Sequence, residues 1–539
     1  MSSLVSQWFS QSCHSCATIQ SDGNIVHCSS VRRQDTRNGL PAVLHPPDPG
    51  SSETTGEETE TMNGMIRKLV CVSSLMLIDL VAFYASLSLA WVVRADILPA
   101  FFTHLPPFHF SYADFAVLWW IPATFILFIF YEDLYDNNLP FWDETRDIVK
   151  SVSLASITLM AIVTLGKMGG SVSRIVLLGL WVSSLFFLPL FRLWGKKILY
   201  TTGIRREKVL IIGAGKAGKL VLEGLMKEKH IGYDVVGFLD DDEQKRGAAI
   251  LGKKVFGRVS EFEPVMREQQ VKTVIIAAPS LPPGQLTALT AQVQNSAVNT
   301  MVVPALQGIA ILNTELTHLF SEELFLMNIR NNLKSPANRL IKRIFDLALC
   351  IVSLPFLLPL TAVIGLIIRL ETPGKALYAH DRIGRSGKTF RCYKFRTMCR
   401  DAEEKLQELL ARDEESRVEW EHTWKLKDDP RITRIGRFLR TTSLDELPQV
   451  FNVLKGEMSL VGPRPYLPRE KRELQENIQV ICSAKPGITG LWQVSGRSNT
   501  SYRHRLKLDA WYVMNWSLWL DIVILFKTVK VVLKAEGAY

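Results

Sequence analysis

The chain has 539 residues, 47% of them hydrophobic, and a formal net charge of +10. This length leaves room for three or four domains, and the composition forces no single class. The eight cysteines form no paired, regular framework, which argues against a disulfide scaffold and for a reducing compartment.

Residues 1–62 are polar, end in "SSETTGEETETM", and carry too little apolar surface to offset the entropy of ordering. The expectation is a disordered tail without the layout of a signal peptide, with Met62 and Met65 as alternative starts. "CHSC" (Cys13 to Cys16), with His27 and Cys28, lacks the second ligand pair of a structural zinc site. Four long apolar runs follow: Leu69–Val93, whose one charge is Asp79, then Phe115–Tyr131, Ser151–Gly166 and Ile175–Phe191. About 20 apolar residues cross a bilayer core, and these runs show little of the polar face that a soluble bundle helix needs. Arg67 and Lys68 flank the first run, and Arg192, Lys196 and Lys197 the exit of the fourth. Four spans over 63–200 with both ends in the cytoplasm satisfy the positive-inside rule.

At Lys208 the pattern changes. "KVLIIGAGKAGKLVLEGL" reads as strand, glycine turn (Gly213, Gly215, Gly218) and helix. Further strand-like runs alternate with helical ones, giving a Rossmann-like α/β domain over 201–335. Asp240, at the end of the second strand, stands where a ribose-binding acid would. Two readings stay open: a nucleotide held at the helix N-terminus, or a fold that keeps its tight turn and binds nothing. No tyrosine-x-x-x-lysine pair is evident downstream, which disfavours sugar redox chemistry.

Leu347–Ile368 is a fifth uncharged run, but it contains Pro355, Pro359 and Gly365 and has basic residues on both sides. A plain crossing would put everything after it outside the cell. A helix that bends near Pro359 and leaves on its entry side agrees with both flanks. The final "DAWYVMNWSLWLDIVILFKTVKVVLK" suits either a helix at headgroup level or a core helix.

Between these elements, "DRIGRSGKTFRCYKFRTM" (with Arg382, Arg385, Lys394 and Arg396) calls for anions, phosphate above all. "TTSLDELPQVFNVLKGEMSLVGPRP" then sets Asp445 beside Glu446. Ser443 and Glu446 have capping-box spacing, although Pro448 counts against a helix there. The alternative is chemical. A helix dipole and nearby arginines would keep Asp445 ionised, and an ionised carboxylate can attack phosphorus. The second acid can move a proton or face a hard cation.

"YKFRTM", the acid-pair block and "AKPGITGLWQVSGR", in that order, resemble the polyprenyl-phosphate hexose-1-phosphate transferases, the bacterial sugar transferase family of monotopic phosphoglycosyl transferases. The resemblance spans about 336–539. It implies a membrane protein of mixed class: a four-helix transmembrane bundle, a Rossmann-like domain, and a mostly α-helical catalytic domain with a re-entrant helix at about 341–370. It implies transfer of hexose-1-phosphate from a UDP-hexose to undecaprenyl phosphate with release of UMP. Asp445 would be the nucleophile, and Glu446 would assist with a proton or with Mg2+. Arg440 and Arg464 would bind phosphate or nucleotide, with Lys394 and Arg396 as further candidates. Pro359 would break the helix, although Leu358 departs from the family's usual preceding serine. "WYV", "LFKT" and a final "GAY" are similar to members that use galactose. The resemblance further implies a homodimer in the bacterial inner membrane, with its catalytic domain facing the cytoplasm and no nucleic-acid partner. The rival enzyme reading is a nucleotide-sugar oxidoreductase or dehydratase run by Gly213–Gly218.

Overall fold

In this computed structural model the described residues are 53–539, except 171, 306–313, 320–323, 424–425, 427–428, 472–476, 496–500 and 534–539. The Cys13–Cys16 tract, the first 52 residues of the expected tail and the terminal "GAY" lie outside them. Helix α1 (Glu53–Val92) starts inside the stretch assigned to the tail.

The membrane part differs from expectation at its second run. Pro122 is best accommodated in a first helical turn, where its missing N–H is no loss, and the helix that holds it starts at Trp120. The run therefore splits. A capping box of Ser111 and Asp114 opens a five-residue helix at Tyr112–Ala116, and α2 spans only the 12 residues Trp120–Tyr131. Twelve residues rise about 18 Å, short of a core of about 30 Å. The helices long and apolar enough to cross are Ile66–Phe101 (with α1 at its start), α3 (Phe141–Leu165), α4 (Arg174–Thr201) and α8 (Pro336–Glu371).

Ion pairs place the helix ends. Arg67 donates to the carbonyls of Gly203, Ile204 and Arg206 just past α4. Lys68 pairs at 3.0 Å with Asp136, between α2 and α3. The Arg67–Lys68 end of the Ile66–Phe101 helix, the loop after α2 and the end of α4 thus lie together. Asp79 is also explained. Arg192 binds it through two nitrogens at 2.7 and 2.8 Å, while Glu144 accepts from Arg192 at 2.9 Å and from Lys196 at 2.5 Å. Two acids and two bases offset one another inside the bundle, the condition under which charge survives there. Arg192 and Lys196 are therefore buried counterions and not the exposed flank that the sequence suggested; Lys197 remains exposed.

The Rossmann-like unit has the sheet order β3-β4-β2-β1-β5-β6. Its strands are β1 (Glu207–Ile212), β2 (Tyr233–Leu239), β3 (Ala249–Ile250), β4 (Lys253–Gly257), β5 (Thr273–Ile276) and β6 (Asn299–Val302). All pair in parallel except β3 with β4. Helix α5 (Lys216–Lys227) follows the glycine turn; α6 (Phe262–Gln269) and α7 (Pro283–Ser296) also pack on the sheet. A hairpin, β7 (Thr314–Leu319) with β8 (Leu324–Ile329), follows.

Helix α8 continues through Pro355 and Pro359 as helix. Both of its ends pack on one domain. Lys342 near its start reaches Asp521 and the Val461 carbonyl. Ile364 and Ile368 near its end join a cluster with Phe395 and Leu439. Between Ile351 and Val363 no residue is buried. The domain holding both ends contains the hairpin β9 (Leu377–Ile383)/β10 (Thr389–Phe395), helices α9 (Arg434–Thr441) and α10 (Gln449–Lys455), the parallel pair β11 (Ser459–Val461)/β12 (Gly487–Thr489), and helices α11 (Tyr502–Met514) and α12 (Leu518–Leu533). In helix α12 Asp521 is fully buried near the start, as in a core helix, while Phe526, Val529 and Leu533 are exposed further on. It touches the bundle where Trp519 Nε1 donates to the Trp142 carbonyl at 3.1 Å.

Candidate active site

Alternation along β10 puts Cys392 and Lys394 on one face of the hairpin, and the antiparallel register adds Arg382 from β9 to that face. Asn452 fastens α10 to the strand. Its amide oxygen accepts from Tyr393 N–H at 3.0 Å and its amide nitrogen donates to the Arg391 carbonyl at 2.8 Å. Helix α9 is held at the other end of β10. Thr433 caps it by accepting from Gly436 N–H at 2.9 Å. Gly436 lies so close to the chain that a Cβ there would meet the Thr397 carbonyl oxygen at 2.0 Å. We expect Gly436→Ala to push α9 off the strand and lower kcat at least tenfold with the protein still folded. Steady-state kinetics beside a thermal melt check this.

The acids lie between these anchors. Ser443 has a left-handed φ of 57°, sparse ground for a non-glycine residue, and it ends α9. Leu444–Glu446 form one 3₁₀ turn, and Pro448 is the N-cap of α10. The capping box does not form: the Ser443 side chain makes no cap bond. Glu446 instead binds Lys394 Nζ at 2.7 Å, and Asp445 binds the same nitrogen at 3.3 Å. Burial works against the Lys394 charge, yet the Glu446 and Asp445 carboxylates outweigh it and raise its pKa. For Asp445 the expected sign is reversed. Burial pushes its pKa above the usual carboxylate range and Glu446 adds to this, while Lys394 and then Arg440 oppose it.

Arg440 donates from Nε to Thr397 Oγ1 at 3.0 Å, and its charge reaches Asp445. Arg464 is on the loop after β11. Its N–H donates to Asp509 Oδ2 at 3.0 Å, and that oxygen also accepts from Tyr466 OH at 2.7 Å. Asp509 is fully buried, and burial lifts its pKa to about 7. Arg396 is turned away: its guanidinium donates to the Thr372 and Pro373 carbonyls and so ties down the chain after α8. Pro359 is in the exposed middle of α8. Sequence reasoning missed Arg505 and Trp492. The guanidinium carbons of Arg464 and Arg505 stand 5.7 and 5.3 Å from the Trp492 ring. With Arg382, which donates to the Pro465 carbonyl at 3.1 Å, they continue the basic surface away from the acids. The even-numbered alternation Arg382, Cys392, Lys394 was the signal available for Arg382.

No cluster of three or more His, Cys, Asp or Glu side chains gathers among the described residues. The acid pair still fits a magnesium ion, which takes one or two carboxylates with substrate phosphate and water oxygens completing its shell.

In the Rossmann-like domain, Gly213 takes a φ of 103° and Gly218 packs where a Cβ would meet the Gly213 carbonyl oxygen at 2.0 Å. Asp240 turns into that loop: its Oδ2 accepts from Ala214 N–H at 2.7 Å, and Lys245 Nζ stands 3.3 Å from its Oδ1. A cavity of about 490 Å³ opens beside it, lined by Gly215, Lys216, Ala217, Pro279, Ser280 and Pro304 among others.

Comparison with known proteins gives the family. The bacterial sugar transferase family model matches residues 337–535, and a CoA-binding domain model matches 133–304. An undecaprenyl-phosphate galactose phosphotransferase of Salmonella typhimurium is 40% identical over 75% of this chain and 84% of its own length. A UDP-galactose-lipid carrier transferase of Erwinia amylovora is 36% identical over 89% of this chain and 99% of its own. A UDP-glucose:undecaprenyl-phosphate glucose-1-phosphate transferase of Escherichia coli is 30% identical over 61% and 68%. The chain is an enzyme belonging to the bacterial sugar transferase family.

Proposed function

We propose that the protein transfers hexose-1-phosphate, galactose-1-phosphate first among candidates, from a UDP-hexose to undecaprenyl phosphate. The observation that carries this reading is the half-buried Asp445–Glu446 pair bridged by Lys394, with arginines extending from it. An oxygen of the ionised Asp445 attacks the sugar-bearing phosphorus, an O–P bond forms, and the bond to the bridging oxygen breaks so that UMP leaves. An oxygen of the lipid phosphate then attacks the same phosphorus and Asp445 departs, giving the lipid diphosphate sugar. Lys394 and Arg440 offset charge at the acids, while Arg464, Arg382 and Arg505 hold the nucleotide half. Glu446 moves a proton or would, with Asp445, hold Mg2+, which would supply charge neutralisation to the diphosphate. Such a product would begin a surface glycan such as exopolysaccharide, capsule or O-antigen.

Helix α8 is best read as re-entrant. A domain that packs on both of its ends cannot stand on both sides of a bilayer. The exposed apolar stretch between them would enter the leaflet, leaving the catalytic domain at the cytoplasmic face of the inner membrane, where UDP-sugars are made. Membrane-impermeant labelling of cysteines introduced at both flanks of α8 should fail from outside intact cells; labelling at the second flank would overturn re-entry. The nucleotide assay should release UMP, fastest with UDP-galactose in a panel that includes UDP-glucose. Release of UDP would overturn the two-step route. Asp240 is committed to the glycine loop, which disfavours the oxidoreductase reading.

A further inference from the structure

We propose that Arg343, Arg385 and Lys485 form a binding site for the headgroup of an anionic membrane lipid, separate from the acid pair. Three elements bring these cations together. Arg343 rises from the first turns of α8 and donates to the Val453 and Leu454 carbonyls at 2.5 and 2.9 Å, the C-terminal end of α10. Lys485 precedes β12. A methyl group on Gly456, which ends α10, would meet Arg343 Nη2 at 3.5 Å and Lys485 Nζ at 3.6 Å. Arg385 is in the turn of the β9/β10 hairpin, which Ser386 N–H fastens to the Cys482 carbonyl at 2.7 Å.

Among the described residues, the side chains of Lys485 and Arg385 make no hydrogen bond or ion pair, although both are half-buried. The acid whose field reaches Lys485 is Asp346, which is buried and already accepts from Ser459 Oγ and Leu460 N–H. Burial and the charges of Arg343 and Arg385 push the pKa of Lys485 down. Like charges this crowded are held at a cost that a bound anion removes.

The surroundings favour a lipid over a soluble anion. Leu340, Ile341 and Ile344, on the same turns of α8 as Arg343, are exposed, and so is Phe451 on α10. A basic cluster at the root of a membrane-inserting helix stands at headgroup depth, where a phosphodiester meets the cations and its acyl chains meet the apolar side chains. Catalysis does not need this site, because the cluster is at the C-terminal end of α10 and the acid pair precedes its N-terminus. The inference rests on α8 entering the membrane, as read above.

The full chain in nanodiscs of phosphatidylcholine with graded phosphatidylglycerol tests it. Native mass spectrometry of the released wild-type protein should show phosphatidylglycerol enriched several-fold over the disc composition. Lys485→Glu should bring enrichment to the disc value and Arg385→Gln should reduce it, with UMP release in phosphatidylcholine discs unchanged. If Lys485→Glu fails to fold, Lys485→Gln takes its place. Equal enrichment in wild type and variants overturns the site. So does full displacement by inorganic phosphate, which would make it a free-phosphate site. Absence of UMP release in every disc would count against the transferase reading alone.

Discussion

Asp445→Asn should reduce turnover by about 10⁴-fold, the usual scale for removing a nucleophile, without unfolding the protein. The pH dependence of phosphosugar formation in the lipid-free first step says more, because attack requires the ionised carboxylate. Burial and Glu446 raise the Asp445 pKa, so the fraction ionised falls as pH drops through a value above the ordinary carboxylate range. The acid limb of the labelling rate should lie there. Lys394 lowers that pKa, so Lys394→Gln should move the limb to higher pH. Glu446 raises it, so Glu446→Gln should still label and should move the limb lower. Opposite displacements by two neighbours of one carboxylate are hard to obtain from a merely structural role. Limbs that do not move would detach Asp445 from the titration.

The largest expected effect on stability is at Asp521. It accepts from Lys342 Nζ at 2.6 Å, Tyr512 OH at 2.6 Å and Trp516 Nε1 at 3.0 Å, and is fully buried. Asp521→Ala leaves the buried Lys342 ammonium without its counterion and the Trp516 indole N–H without this acceptor, while Tyr512 OH keeps the Val461 carbonyl, at a cost of about 3–5 kcal/mol. The root of α8 and the β11 end that leads to Arg464 share this network through the Val461 carbonyl, which accepts from Lys342 at 3.0 Å. Activity should therefore fall with the melting temperature. Lys342→Met combined with Asp521→Leu removes both charges and should recover part of the loss. A double variant as unstable as the single would mean that the hydroxyl and indole bonds, not the ion pair, carry the effect.

Much of the architecture was legible from local pattern. Apolar runs marked α1, α3, α4 and α8, and strand–glycine–helix order marked the Rossmann-like sheet. Adjacency gave the acid pair. What stayed hidden depended on contacts far apart in sequence. Asp79 was legible only as the one charge of its apolar run; its partner Arg192 is 113 residues away. Arg192 and Lys196 looked like topogenic flanks for the same reason. Pro122 was readable as a helix start, but the apolar count around it masked the signal. Asp445 was expected to be ionised by its neighbours, because sequence shows charge and not burial, and burial decides its sign. Arg396 shares a motif with Lys394, and alternation would put both on one face, but β10 ends at Phe395 and the Arg396 guanidinium binds the Thr372 and Pro373 carbonyls after α8 instead. Arg505 and Trp492 reach the basic row only through the packing of α11.

The most direct test is intact-protein and peptide mass spectrometry of the enzyme incubated with UDP-galactose and no lipid acceptor. The predicted result is one hexose phosphate on the peptide carrying Asp445, absent in Asp445→Asn and discharged by undecaprenyl phosphate. Turnover without any adduct on this peptide, or an adduct that persists in Asp445→Asn, would contradict the account.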